Sequence, residues 1–188
     1  MDFTVEGTHN YITAGVPSHN TGKTIAGSYE VALHLTGRYP DWWQGRVFEE
    51  PGAWYAAGST LETTRDIVQL EMLGKREDNW GTGMIPGADV DDVKLRPNTN
   101  GAVDYVMVKH QAGGFARLNF KSYDQGRKAF EGTAKQGVWL DEEPPQAIYT
   151  ECLTRTATTQ GLVMVTFTPL NGATDVVMDF IEKAELVG

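Results

Sequence analysis

Cysteine occurs once in this 188-residue chain, at Cys152, which excludes an internal disulfide framework and any multi-cysteine metal site. The lone thiol reads as a small buried hydrophobe on a helix. No apolar run approaches the ~18 residues of a membrane span. The opening Met1-Asp2-Phe3-Thr4-Val5-Glu6 has neither the basic start nor the apolar stretch of an export signal, so a cytoplasmic protein is expected. Basic charge is also scarce: 16 Lys and Arg face 25 Asp and Glu, a net of -9. That balance argues against a broad basic surface for wrapping nucleic acid and leaves room only for a local patch. Repeats and low-complexity segments are missing as well. What is present, 40% apolar and 22% charged residues, is the composition of a soluble globular chain able to bury a core. The length suits one ordinary domain of ~100–150 residues with a small appendage.

From Thr21 onward, helix-like and strand-like segments alternate, the pattern of an α/β domain with a mainly parallel sheet. Ile25, Tyr29, Ala32 and Leu33 fall near helical spacing between Thr24 and Leu35, and Gly37 then Pro40 supply the stop. Ala53–Gly58 reads as a short strand, and Ser59 with Glu62 three residues later suggests a capping box opening a helix towards Gly74. Lys75–Asn100, rich in Gly, Pro, Asp and Asn, reads as loop with at most a short element. Asp104–His110 and Phe115–Lys121 alternate apolar with polar residues around a Gly-Gly turn and predict a hairpin or two neighbouring strands. Gly137–Leu140 and Leu162–Val165 do not alternate, as expected of strands buried on both faces. Helices are predicted over Ile148–Thr156 and Val176–Ala184.

Thr21-Gly22-Lys23-Thr24 is the second half of a phosphate-binding loop, directly followed by a helix. In that setting, backbone N–H groups at the helix start face phosphate oxygens, the Lys23 ammonium reaches the β and γ positions, and the Thr24 hydroxyl ligates Mg²⁺. The first half of the motif does not fit. Its leading glycine would stand at Pro17, which has no N–H, and Gly15 leaves six intervening residues where the motif allows four. On its own the fragment is also compatible with a surface loop. Support comes from Val138-Trp139-Leu140-Asp141-Glu142, an apolar strand ending in adjacent carboxylates. There Asp141 would hold the metal through water and Glu142 would polarise the attacking water, although a solvated acidic turn shares the pattern. Thr166-Phe167-Thr168-Pro169 ends the next buried strand, so its hydroxyls either face the same crevice or mark a plain strand-to-turn transition.

Taken with Leu35-Thr36-Gly37-Arg38-Tyr39-Pro40-Asp41-Trp42-Trp43 and Asp124-Gln125-Gly126-Arg127, these ordered motifs resemble phage terminase large subunits from Thr21 to the C-terminus. The resemblance implies a P-loop NTPase fold of the RecA-like (ASCE) kind over residues 21–188, a mainly parallel sheet with flanking helices. It implies ATP and Mg²⁺ as cofactors, with Thr21, Gly22, Lys23 and Thr24 binding ATP. Thr24 and Asp141 would hold the metal, Lys23 and Glu142 would be catalytic, and Thr166 with Thr168 would form the coupling motif. It also implies ATP hydrolysis that drives double-stranded DNA into proheads in the host cytoplasm. Its partners would be portal protein and small terminase subunit, the chain acting as a homo-oligomer on the portal with no membrane role. Family members usually add a C-terminal nuclease with acidic metal ligands; the sequence stops at Gly188 before such a domain, so nuclease activity is not expected of these residues. Arg127 and Arg155 could touch phosphate or make ordinary ion pairs.

Residues 1–20 resemble a different thing, the C-terminal splicing blocks of an intein, with Thr21 as the first residue of the downstream extein. That resemblance implies a short β-rich fragment in which Thr21 Oγ takes the upstream acyl group and Asn20 cyclises to break the Asn20–Thr21 bond. His19 would donate the proton, with His9 and Asp2 nearby. The N-terminal intein block with its Cys or Ser nucleophile is not found before Asp2, so either a separate N-terminal intein/extein fragment supplies it or the sequence is an incomplete gene product. In both cases the N-extein would bring the missing glycine and its strand, and ATP turnover would await that splicing. Two other classes stay open: a small P-loop kinase using Asp141 as metal ligand, and a terminase remnant that binds its partners without hydrolysis.

Overall fold

β-branched and aromatic runs recur along the chain, and six of them pair into one mixed sheet in the computed structural model, which describes residues 2–3, 12–13, 22–75, 80–169 and 172–185. The strands are β3 (Ala53–Gly58), β4 (Val90–Leu95), β5 (Val103–Lys109), β6 (Phe115–Ser122), β7 (Gly137–Asp141) and β8 (Leu162–Thr166), in the order β4-β5-β6-β3-β7-β8. β6, β3, β7 and β8 run parallel, while β5 and β4 extend the sheet antiparallel. Near the N-terminus, β1 (Asp2–Phe3) and β2 (Ile12–Thr13) form a separate antiparallel pair. His9, His19, Asn20 and Thr21 lie outside the described residues. Among the described residues no helix is long and apolar enough to cross a membrane.

Side chains alternate across a strand, so each central strand feeds two cores. Trp54, Ala56, Leu118, Trp139 and Met164 face one side, where Val31, Leu35, Val68 and Met72 cover them. Tyr55, Ala57, Val138, Leu140, Val163 and Val165 face the other, packed under Ile148, Tyr149 and Cys152 of α4 (Gln146–Ala157) and Val176, Val177 and Phe180 of α5 (Asp175–Glu185). Every residue of β7 and β8 is buried, as their unbroken apolar runs predict. Cys152 is free and buried, and burial pushes its thiol up to about 12, so it packs as a hydrophobe.

On the first face lies α1 (Lys23–Thr36). Gly22 opens it in the left-handed region at φ 75°, and Gly37, at φ 70°, closes it with an N–H bond to the Leu33 carbonyl. Its seat is set by Gly27, which meets the Trp139 indole so closely that a Cβ there would lie 2.7 Å from the ring. A glycine in mid-helix is unfavourable by propensity, so this contact is where packing overrides it.

Two expectations are corrected. The helical stretch after β3 is capped by Thr60 and Thr63, not by Ser59 and Glu62: Thr63 N–H donates to Thr60 Oγ1, and Thr60 N–H donates to Thr63 Oγ1. It continues as α2 (Leu61–Thr63), a π-helical segment (Thr64–Gln69) and α3 (Leu70–Leu73). Within the stretch read as loop, β4 pairs antiparallel with β5. Its sequence, Val90-Asp91-Asp92-Val93-Lys94-Leu95, hid it, because aspartate is depleted in strands and the register shifts after Val90 and Lys94 break the alternation.

Gly27→Ala sets two effects against each other: Ala is favoured over Gly in a helix by ~1 kcal/mol, while overfilling a packed core costs ~1–3 kcal/mol. The indole is fully buried and hydrogen-bonded, so overfilling should win. The urea midpoint should fall with an unchanged slope; a midpoint at or above wild type would show that the helix is free to shift.

Candidate functional site

The carboxyl ends of β7 and β8 lie in register, pairing Asp141 with Thr166. Because both are the last residues of parallel strands, their side chains meet at the sheet's edge of exit, and Thr166 Oγ1 donates to Asp141 Oδ1 at 2.7 Å. The N-terminus of α1 arrives at the same point: Thr24 Oγ1 lies 3.1 Å and 3.2 Å from the two Asp141 oxygens. Thr24, 117 residues away in sequence, and Thr166, 25 residues away, thus converge on one carboxylate.

Hydrogen-bond direction is fixed by chemistry. The Trp139 indole N–H can only donate, and it reaches Thr166 Oγ1 at 2.8 Å. The Thr166 oxygen therefore accepts from the indole, and its own hydrogen goes to Asp141. The α1 seat and the acidic site are linked through that ring, since Gly27 packs on it.

Asp141 is 5% exposed. Burial is the main cause that lifts its carboxyl to about 6; the Thr166 and Thr24 hydroxyls oppose the rise, Glu142 adds to it, and Lys23 lowers it. Charge at Lys23 and Glu142 is thus felt at this carboxylate. Glu142 follows directly and is exposed, with φ at 70°. For a residue with a Cβ the left-handed region costs roughly 1–2 kcal/mol. Its N–H donates to the Thr166 carbonyl at 2.9 Å, extending the ladder by one rung past Asp141.

A parallel sheet whose strand ends gather an acidic pair, two threonines and the start of a glycine-led helix has the layout of a nucleotide crevice. Residues 16–186 match the family described as terminase large subunit, T4likevirus-type, N-terminal. The chain belongs to the terminase large-subunit family. It is 39% identical over 181 residues to the large terminase subunit of Salmonella phage P22, an alignment covering 86% of this chain and 36% of the P22 protein. In structure it resembles the large terminase of the thermophilic bacteriophage D6E, with a TM-score of 0.61 at 16% identity over 90% of this chain and 36% of that one. A second D6E structure, in complex with ADP, matches at a TM-score of 0.51 and 17% identity, covering 80% of this chain and 31% of that one. The chain spans about a third of the length of these terminases.

Of the residues singled out from sequence, Thr24, Asp141 and Thr166 are brought into direct contact, and Glu142 is adjacent. Gly22 and Lys23 lead into α1, where a Cβ on Gly22 would meet open space, so its left-handed φ is what calls for glycine. Thr168 lies two residues beyond β8, half-buried, outside this hydrogen-bond set. Arg127 and Arg155 are tied into one ion-pair group, Arg127 with Glu131 and Glu151 at 2.9 Å each and Arg155 with Glu151 at 3.0 Å. Ordinary pairing accounts for both. Tyr123 and Trp139 were missed as site residues. The Tyr123 hydroxyl lies 2.9 Å from both the Asp141 and the Glu142 carbonyl oxygens, and burial raises its phenol well above the usual range, keeping the proton on. Its position after a strand carries no mark of that reach in the sequence.

The Thr24 hydroxyl and the Asp141 carboxylate form a hard oxygen pair suited to a small divalent cation that keeps waters in its other positions. Such a cation would offset the burial of the carboxylate. Without it, the native protein binds a proton at Asp141 more readily than the unfolded chain, so stability declines as pH rises from about 4 to about 6. Above that window the cost is about 3 kcal/mol, from a rise of about two pH units at 1.36 kcal/mol each. Asp141→Asn keeps an acceptor for both hydroxyls and removes the charge. In the metal-free protein it should raise the melting temperature at pH 7.5, with the gain vanishing near pH 4; equal melting temperatures across the range would refute a strained carboxylate.

Proposed function

We propose that this chain forms part of the ATPase of a DNA-packaging terminase, a P-loop NTPase that hydrolyses ATP to drive double-stranded DNA into proheads. The observation that carries this reading is the convergence of Thr24 and Thr166 on Asp141 beside the exposed Glu142. Family membership supports it, as does the ADP bound by the D6E terminase of similar fold.

In this reading, backbone N–H groups at the start of α1 and the Lys23 ammonium hold the phosphates, with Thr21 and Gly22 completing the near side of the loop. Thr24 and Asp141 would hold Mg²⁺, which would supply charge neutralisation on the phosphates. Glu142 accepts a proton from water as the water oxygen bonds to the γ-phosphorus; the β–γ bridging bond breaks, and ADP and inorganic phosphate leave. Thr166 touches the metal-holding carboxylate directly, so loss of the γ-phosphate can reach β8 through one hydrogen bond, and Thr168 continues that coupling motif. Duplex DNA, portal protein and the small terminase subunit are the partners of this reading, in a homo-oligomer on the portal in the host cytoplasm.

The half P-loop adds a maturation step. An N-terminal intein/extein fragment supplies the leading glycine and its strand, residues 1–20 act as the C-terminal intein part, and splicing joins that strand to Thr21. His9, His19 and Asn20 serve the splicing step, with Thr21 as nucleophile. The sequence His19-Asn20-Thr21 before Gly22-Lys23-Thr24 supports this.

In the completed protein, Lys23→Ala and Glu142→Gln should each cut steady-state ATP turnover by at least ~100-fold, the scale of a lost general base. Full turnover in either variant would remove the ATPase reading. Splicing is tested separately, by mixing the chain with a candidate N-terminal fragment and following ligation by mass spectrometry. Ligated product from wild type and none from Asn20→Ala is the expected pair; no product from wild type would sink the splicing step while leaving the ATPase reading standing.

A further inference from the structure

Glu142 stands in a conformation that side chains with a Cβ rarely adopt, and the chain around it shows what keeps it there. Two peptide planes flank its α-carbon, and their orientations define its φ and ψ. The plane before it is held at both ends: its N–H donates to the Thr166 carbonyl at 2.9 Å, and its carbonyl, that of Asp141, accepts from the Tyr123 hydroxyl at 2.9 Å. The plane after it is reached by the same hydroxyl, whose distance to the Glu142 carbonyl oxygen is also 2.9 Å.

In an extended strand, successive carbonyls point to opposite sides. Here two in a row converge on one donor, with the chain turned left-handed at Glu142. The phenol shares its single hydrogen between them. Tyr123 itself is fixed: it is buried, it begins the 3-10 turn Tyr123–Gln125 at the end of β6, and its ring packs in the core beneath β7. The donor is therefore delivered by β6, two strands away from β7 in the sheet order, with β3 between them.

We propose that Tyr123 is a positioning residue for hydrolysis, its hydroxyl locking the Glu142 backbone so that the carboxylate is presented to water at the strand ends. This rests on Glu142 being the base. The phenol touches no substrate; it acts through the two carbonyls. A base displaced by about an ångström loses roughly a hundredfold in rate, so the hydroxyl should matter to turnover while leaving nucleotide affinity alone.

The test uses the complete large subunit with an intact P-loop. Tyr123→Phe should lower kcat for ATP by roughly 10- to 100-fold, with KM for ATP within about twofold of wild type and the melting transition still cooperative. 4-Aminophenylalanine at position 123, which restores a donor, should recover most of the rate. In a Glu142→Gln background, Tyr123→Phe should change the residual rate by less than about twofold, because both act through one group. Wild-type kcat in Tyr123→Phe would overturn the proposal, and so would an undiminished effect in the Glu142→Gln background, which marks a merely structural role. Should Tyr123→Phe fail to fold, 4-fluorophenylalanine fills the hydroxyl's space without donating and is held to the same outcomes. Full activity in Glu142→Gln alone is a separate result: it would overturn the assignment of the base, and this inference with it.

Discussion

One buried carboxylate organises this end of the molecule. Burial pushes the Asp141 carboxyl up, and two hydroxyls that turn their hydrogens towards it, one from a helix start and one from a neighbouring strand, oppose the rise. Removing a charge from water without a full partner is unfavourable. Such strain at a functional position is tolerated when the surroundings are rigid. Here they are: β7 and β8 are buried along their whole length, and the Trp139 indole pins Thr166 from below.

The same ring explains why α1 sits where it does. For Thr24 to meet Asp141, α1 must bring its first turn to the ends of the central strands, and the approach is limited by side-chain bulk. Gly27 removes that limit over Trp139, and Val31 and Leu35, one and two turns further on, bury themselves against the same face. The placement of Thr24 against Asp141 is therefore a consequence of packing lower down the helix. Sequence, helix seat and metal-suited oxygens form one causal chain.

Much of this was legible in the residues. The apolar runs at Gly137–Leu140 and Leu162–Val165 had no alternation, and buried parallel strands are what such runs become. The paired acids and the threonine at their ends could be placed on one crevice because parallel strands share a carboxyl edge. β4 was illegible because Asp91 and Asp92 mask a strand whose pairing partner is formed later in the chain. The cap of the helix after β3 shifted by one residue, since Ser59, Thr60 and Thr63 all offer suitable hydroxyls and only the backbone decides among them. Tyr123 could not be found at all, because its role lies in an oxygen meeting two carbonyls across β3, a contact with no local signature.

The charged strand at the far side has a consequence for how the molecule behaves in company. A terminal strand presents a row of backbone donors and acceptors that a neighbour's strand could join. In β4 that row is guarded by exposed Asp91, Asp92 and Lys94 and distorted by two register shifts. A second copy approaching in the same way would set aspartates against aspartates on an irregular backbone. Copies brought together at high concentration can thereby stay out of sheet-to-sheet aggregates on this flank.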